Sequence, residues 1–458
     1  MKRILLILAW HYAFSFLWMI LPAAVNAWLP PPPQLTSTRR GRRILPTTTS
    51  KTNFLLSSSL DDYSGSSSTD PSSLTPPPPE EEPPKRKRKI IAKVEKFTRL
   101  PVWPAWNGVL IFIVQRLLGN AVAARLEDRM GGRVCPNFFA SPDQTSPFIM
   151  LVHHNHSFGK WDVLRWLQRI FILEEGFPAH FHRGFTTVTY ILEGNGFVHR
   201  DSNGLQQTYG ATSSQKKHHT QWLFTGAGLL HEEMFDNHHS DSGGNFEKQE
   251  LYQLWLNVPA AQKLNPPTVQ LLGPNECPVV QNSLTRTVVI AGSHQGMSSQ
   301  APTSKPMVDI LHVQLLEPGA TWSHALHVQQ ETVILYVRKG RISVDGTVVD
   351  VHHTAYLEAS SGNDSLLEIV NDNNNGPSDV LVLCGKPLKG EPVVAQGSVV
   401  MNTPHQLQQA YADYQRGYMG VPWDASVSNA EWKAHIQLYP CRYPYSNIDN
   451  GRSDSQEC

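Results

Sequence analysis

Two short runs of the chain set imidazoles and carboxylates at alternate positions. One is His180-Phe181-His182, and the other, 49 residues beyond His182, is His231-Glu232-Glu233. Positions i and i+2 of an extended strand project from the same face. His180 and His182 therefore point one way together, and so do His231 and Glu233. If the two strands are neighbours, three imidazoles and one carboxylate converge. That donor set suits a borderline divalent ion, since thiolates would favour zinc or copper(I) and an all-oxygen cage calcium or magnesium. Four protein ligands in an octahedral shell leave about two positions open, as non-haem Fe(II) needs for dioxygen or a chelating substrate. Imidazoles bind metal only when neutral, so affinity should fall at acid pH. Spacing alone leaves a metal site and ordinary core or surface histidines evenly balanced, because strand alternation also produces same-face pairs.

The chain has 20 histidines, and other clusters compete. His153-His154-Asn155-His156 holds a same-face pair at 154 and 156, but it reads as a surface loop in a turn-like context without a carboxylate partner. His218-His219 and His238-His239 are adjacent pairs; neighbours on a strand face opposite ways and chelate poorly. The five cysteines show no C-x-x-C spacing, which argues against a disulfide framework and against a thiolate zinc site.

The elements that must position these groups read as strands. Thr186–Leu192 is dense in β-branched and aromatic residues and ends at Gly194 and Gly196, after which Phe197–Arg200 resumes before Asn203-Gly204. Strand, glycine turn, strand is hairpin grammar. Leu251–Leu256 alternates as a further strand. In the second half Val308–Leu315, Thr332–Val337, Arg341–Asp345, Thr354–Leu357, Leu366–Ile369 and Val380–Leu383 repeat the pattern. Many short strands predict an all-β chain of two tandem sandwiches, jelly rolls included, joined near Asn265–Thr268. Thr403-Pro404-His405-Gln406 opens a helix with a capping box and Pro at its first position, and Gly417 ends it.

With 458 residues and 40 % apolar composition, the chain is long enough for more than one core. Residues 1–90 carry 12 of the 39 Lys+Arg and 6 of the 39 Asp+Glu, which leaves a mildly acidic body with no electrostatic reason to bind nucleic acid directly. Residues 1–27 follow the plan of a secretory signal peptide. Residues 28–95 predict a disordered linker, first Arg/Ser-rich and free of acids to Leu60, then Pro/Ser-rich, then the basic run Lys85–Lys89. A signal peptide ahead of such a stretch resembles a bipartite plastid leader; a nuclear or cytoplasmic address is the alternative. Residues 96–145 predict an amphipathic helical segment whose apolar run, Val109–Val114, is too short for a stable membrane span.

Gly176–Tyr190, Gln221–Glu233, His352-His353-Thr354-Ala355, Cys384–Leu388 and Val400–Thr403 resemble the signatures of the pirin family, over roughly residues 146–420. The resemblance implies two tandem cupins: residues 146–262 with a metal site, a linker at 263–300, residues 301–395 without metal, a return segment and helix at 396–420, and a tail at 421–458. It implies a mononuclear metal, usually iron, on His180, His182, His231 and Glu233. In the second cupin the nearest candidates, His324 and His327, sit at the wrong spacing for one strand face. Family members include quercetin 2,3-dioxygenases and iron- or redox-sensing partners of regulatory proteins. The expectation is therefore an Fe(II) dioxygenase using dioxygen on a flavonol-like small molecule, with Glu233 taking a substrate proton and Phe177, Phe181, Phe185 and Met234 as an apolar wall. The alternative is a non-catalytic binding partner, and a monomer is expected in either case. Phe181 and Thr186 stand where the family usually has Pro and Glu, and both are expected beside the site.

Overall fold

A computed structural model describes residues 87–88, 91–97, 113–119, 122–123, 131–136, 138, 142–157, 176–211, 217–236, 248–302, 307–358 and 365–442. The signal peptide and transit-like readings lie outside these residues.

Short alternating runs become strands throughout. Before the first barrel come β1 (Lys87–Arg88) and β2 (Ile91–Lys96). The N-terminal half is built from β3 (Gly131–Val134), β4 (Phe148–Ser157), β5 (Gly176–His182), β6 (Phe185–Glu193), β7 (Phe197–Asp201), β8 (Gln206–Tyr209), β9 (Thr220–Phe224), β10 (Leu229–Phe235), β11 (Lys248–Asn257) and β12 (Thr268–Leu272). They make two facing sheets, ordered β12-β9-β6-β11-β4-β3 and β5-β10-β7-β8. In the second half come β13 (Val279–Gln281), β14 (Thr285–Ala291), β15 (Ser293–His294), β16 (Met297–Ser298), β17 (Val308–Leu315), β18 (Thr321–Leu326), β19 (Thr332–Lys339), β20 (Arg341–Val344), β21 (Thr347–Asp350), β22 (His353–Leu357), β23 (Ser365–Asn371) and β24 (Ser378–Gly385). The larger sheet there runs β13-β14-β17-β24-β19-β22-β2, and the smaller β1-β23-β20-β21 with β18 on the other edge of β23. The neighbour order β18-β23-β20-β21 repeats β5-β10-β7-β8, so the chain is one jelly-roll plan used twice.

The two large sheets are buried on both faces. Val188, Tyr190, Trp222, Tyr252 and Leu254 from the first half pack with Ile310, Ile334, Tyr336, Leu381 and Leu383 from the second in one core. The opposite faces close each barrel on itself. In the second, Val313, Leu335, Val337 and Val382 meet Trp322, Leu367 and Ile369. Burial on both faces explains why β6 and β24 read as continuous runs rather than strict alternation.

After β24 the chain returns to the first barrel through β25 (Val394–Gln396), β26 (Val399–Met401) and a helix. With α1 as the single turn Pro142–Thr145, this helix is α2 (Pro404–Gln415), and its capping box pairs Thr403 with Gln406 as the sequence predicts. The tail packs too. A helix α3 (Asn429–Leu438), capped by Ser428 and Glu431, buries Trp432 against Trp423, Leu230 and Met419.

Four expectations need correcting. Residues 263–300 are not a linker: β12 extends the first barrel beside β9, and β13 to β16 open the second half. An edge strand needs only one neighbour, and Pro266-Pro267 ahead of it masks so short a strand. The segment 91–95, the end of the stretch 28–95, is not unfolded linker either. It pairs with β22, and a bulge between Ile91 and Lys93 brings Ile91 and Val94 to the second core despite their odd spacing. His153 and His154 are not on a surface loop but buried in β4 between β11 and β3. In the segment read as an amphipathic helix, 113–118 is helical, but Ile113, Leu117 and Leu118 are exposed. Among the described residues, no helix is long and apolar enough to cross a membrane.

Candidate metal centre

The site lies inside the first barrel, on the inner face of β5 and β10. The strands pair antiparallel with Leu229 opposite His182 and His231 opposite His180. Directly opposed residues share a face, so register as well as parity brings the imidazoles together. Ring centroids are 4.6 Å apart for His180 and His182, 4.5 Å for His180 and His231, and 4.8 Å for His182 and His231. One ring nitrogen of each lies within 4.8 Å of those of the other two. Among the described residues, this is the one group of three or more metal-ligating side chains so close.

Each imidazole is held neutral. Burial lowers the pKa of His180, opposed by its hydrogen bond to the Pro178 carbonyl. Burial, then the neighbouring rings, pushes His182 and His231 well below the usual range. His180 Nδ1 pairs with the Pro178 carbonyl at 2.8 Å, which leaves Nε2 for another partner. His182 Nδ1 and both nitrogens of His231 are buried with no protein partner. Buried polar atoms are nearly always bonded, and neutral nitrogens converging without partners are what a divalent cation satisfies. The residues fit such an ion.

Glu233 is one alternation beyond His231 on the same face, outside the three-nitrogen group. Its carboxylate accepts from Tyr209 Oη at 2.5 Å, Gln253 Nε2 at 3.1 Å and Thr189 Oγ1 at 3.5 Å. Burial raises its pKa, with these donors and His199 pulling the other way. Ligation by Glu233 would exchange one of these bonds for the metal.

His199 escapes the spacing argument. It stands opposite Glu233 on β7, with its ring centroid 5.4 Å from that of His231 and its Nε2 bonded to Asp201 at 3.1 Å. The signal was present as His199-Arg200-Asp201, an alternate pair on a strand with a turn beyond it.

The wall residues divide. Phe185 packs edge-on to His182 at 5.3 Å, and Phe177 lies with Phe197 and Phe235 beyond Glu233. Phe181 faces the other way, stacked on Tyr414 of α2 at 4.1 Å, and Met234 has the parity opposite to Glu233. Thr186 is likewise not beside the site. It shares parity with Val188 and Tyr190, which face the second half, so a Thr there touches no ligand. Beyond the wall, Trp255 stacks edge-on to His182 at 5.7 Å.

The return segment grips the ligand strand. Arg183 is 1 % exposed and donates to Asp413 at 2.7 Å and to the Ala227 carbonyl at 2.6 Å. Its backbone bonds Ser398 and Val400. Lys263 Nζ donates to the carbonyls of Gly184 and Val400 and to Asn257. At Gly184, with φ of +86°, a Cβ would come 2.1 Å from the Val400 oxygen, so the close approach requires glycine.

The repeat shows what the second barrel holds at matching places. Trp322 and His324 on β18 lie opposite Ile369 and Leu367 on β23. Trp322, Leu367 and Ile369 pack in the apolar core of the second barrel. His324 instead pairs with His294 at 3.1 Å and with Asp309 at 3.1 Å, partners in β15 and β17 that strand spacing could not show. His327 is exposed.

Two jelly rolls sharing a core, with an imidazole cluster inside the first, define a double cupin. The pirin family profile matches residues 130–256, and the profile of the pirin C-terminal cupin domain matches residues 310–420. Pirin-1 of Arabidopsis thaliana is 29 % identical over 313 residues, spanning 67 % of this chain and 96 % of that protein. A Pseudomonas aeruginosa protein provisionally named a quercetin 2,3-dioxygenase is 30 % identical over 288 residues, 61 % of this chain and 89 % of its own length. A crystal structure of quercetin 2,3-dioxygenase from Acinetobacter baumannii shares the fold, with a TM-score of 0.57 at 22 % identity, covering 73 % of this chain and 99 % of that one. The chain belongs to the pirin family.

Proposed function

We propose that His180, His182 and His231 hold one Fe(II) ion, with Glu233 as the further ligand, and that the protein is a dioxygenase acting on quercetin-like flavonols. The observation that carries the reading is the set of buried, neutral imidazole nitrogens that converge without protein partners. Bound there, Fe(II) would supply a redox-active Lewis acid for chemistry between dioxygen and a chelating substrate. The name of the Pseudomonas aeruginosa relative supports the flavonol class.

The chain's own residues supply the rest. Burial removes bulk water from the imidazoles and strengthens every polar contact beside them. Phe185 and Trp255 bound the cluster on the His182 side. Glu233, the buried carboxylate beside the imidazoles, would take the proton of a substrate hydroxyl. Tyr209 and Gln253 hold that carboxylate in place. The N-terminal signal-like stretch, read from sequence, would carry the protein away from nuclear regulators, which favours the enzyme over a partner of transcription factors.

The test is oxygen uptake by iron-loaded protein with quercetin, and release of carbon monoxide with a ring-opened product. Stoichiometric iron with no uptake on any flavonol would contradict the dioxygenase and leave the non-catalytic iron-sensing role.

A further inference from the structure

Beyond the imidazoles the interior of the first barrel remains polar, and several of its polar atoms have no protein partner. Gln221 on β9 is 0 % exposed, and neither its amide nitrogen nor its amide oxygen has a protein partner. It lies opposite Thr189, which lies opposite Gln253 on its other side. Thr189 and Gln253 both bond Glu233, so their shared face, and Gln221 with it, looks into the metal chamber. On the facing sheet His199 is opposite Glu233 and Gln207 opposite His199; His199 Nδ1 and Gln207 Oε1 also lack protein partners. This layer is one alternation past the His180 and His231 pair, about 7 Å along the strand. Next to it the rings of Phe197 and Phe235 stack at 4.8 Å.

A fully buried amide with both ends unbonded is a standing cost to folding. An apolar side chain of the same size would remove that cost, so the amide's use lies in what it binds. The occupant must both donate and accept hydrogen bonds, as a hydroxyl does, and the flanking phenylalanines suit a flat ring. We infer that Gln221, assisted by His199 and Gln207, is the specificity-determining residue for hydroxyl groups on the ring of the substrate remote from the metal. The inference rests on the flavonol reading and extends it from the chelating end of the molecule to the far end.

The test uses the full chain, iron-loaded and kept free of oxygen, titrated with quercetin and with galangin, which lacks the pendant-ring hydroxyls. The wild type should bind quercetin at least about 10-fold more tightly, because a site built to bond a hydroxyl discriminates against its absence. In Gln221→Met, and in Gln221→Leu beside it, the two ligands should bind within about 2-fold of each other, through loss on quercetin alone. Metal content should hold, and Tm should rise because an orphan amide has gone. A wild type without preference, variants that keep it, or a fall in Tm would each overturn the assignment. Oxygen uptake measured in parallel separates the two ideas. Selective binding without turnover overturns the dioxygenase alone, and turnover with selectivity unchanged in the variants overturns the role of Gln221 alone.

Discussion

At the scale of the residue, the argument turns on imidazoles that are neutral before any ion arrives. An exposed histidine titrates near 6.5, and burial sets His180, His182 and His231 below that. Protons therefore compete with the metal only in more acid solution. Metal affinity is expected to hold as pH falls through the ordinary imidazole value and to drop only in more acid solution, in an isothermal titration with Co(II) or Fe(II). A midpoint at the ordinary imidazole value would contradict the burial argument. Strand parity and the matching family signatures point to these histidines in the sequence, because the i, i+2 rule needs only that both segments be strands. Parity could not show which neighbours complete the chamber. Gln221, Tyr209 and Gln253 come from other strands, and sheet order is invisible in a single sequence. The burial of His153 is hidden in the sequence for a similar reason. Its carboxylate partner, Glu250, lies 97 residues away and is brought to 2.9 Å by the pairing of β4 with β11.

At the scale of the element, the ligand strand β5 is braced by chain that arrives only after the second cupin. Arg183 follows His182 directly, and its partner Asp413 is on α2, both essentially inaccessible to solvent. Removing one member of a buried ion pair leaves an uncompensated charge and costs about 3–5 kcal/mol, whereas replacing both with apolar groups is often neutral. Asp413→Leu should therefore lower stability by roughly that amount, and Arg183→Met with Asp413→Leu should recover most of it, as read by urea denaturation. Equal losses in the single and double variants would show that the charge pair is not what matters. The helix itself was legible, since Thr403, Pro404 and Gln406 are local signals. The tail helix α3 carries the same kind of cap in Ser428 and Glu431, but Trp432 is its one buried residue, so no apolar stripe marks it in the sequence.

At the scale of the whole molecule, the cupins are not beads on a linker. Their large sheets share one core, and its polar edge is a charged seam. His153 bonds Glu250 and Tyr336, Arg338 joins Glu250 at 2.9 Å to Asp379, and Asp379 bonds His312 at 3.0 Å. Two expectations follow. Calorimetry should show one cooperative transition for the body, with van't Hoff and calorimetric enthalpies equal, and separate transitions would contradict the shared core. Acid should also loosen the seam. Burial pushes the Glu250 and Asp379 carboxyls up, but His153 and Arg338 around the first, and His312 and Arg338 around the second, outweigh it and hold both below their ordinary values. Their stabilising contribution is complete above about pH 4.5 and is lost as pH falls through the lowered values. Tm should drop as pH goes from about 5 to about 3, and drop less in Glu250→Gln. The repeat of one jelly-roll plan explains why a sequence could show two β halves, while the shared core, which depends on sheets meeting back to back, could not be read from local pattern.

The central claim is that three imidazoles from two distant stretches hold a single ion. Metal analysis of the purified full chain, wild type beside His182→Ala, tests it most directly. The account predicts about one iron per chain in the wild type, a small fraction of that in the variant, and similar folding of both by circular dichroism. Wild-type protein without stoichiometric metal after exposure to Fe(II), or a His182→Ala variant that keeps it, would contradict the account.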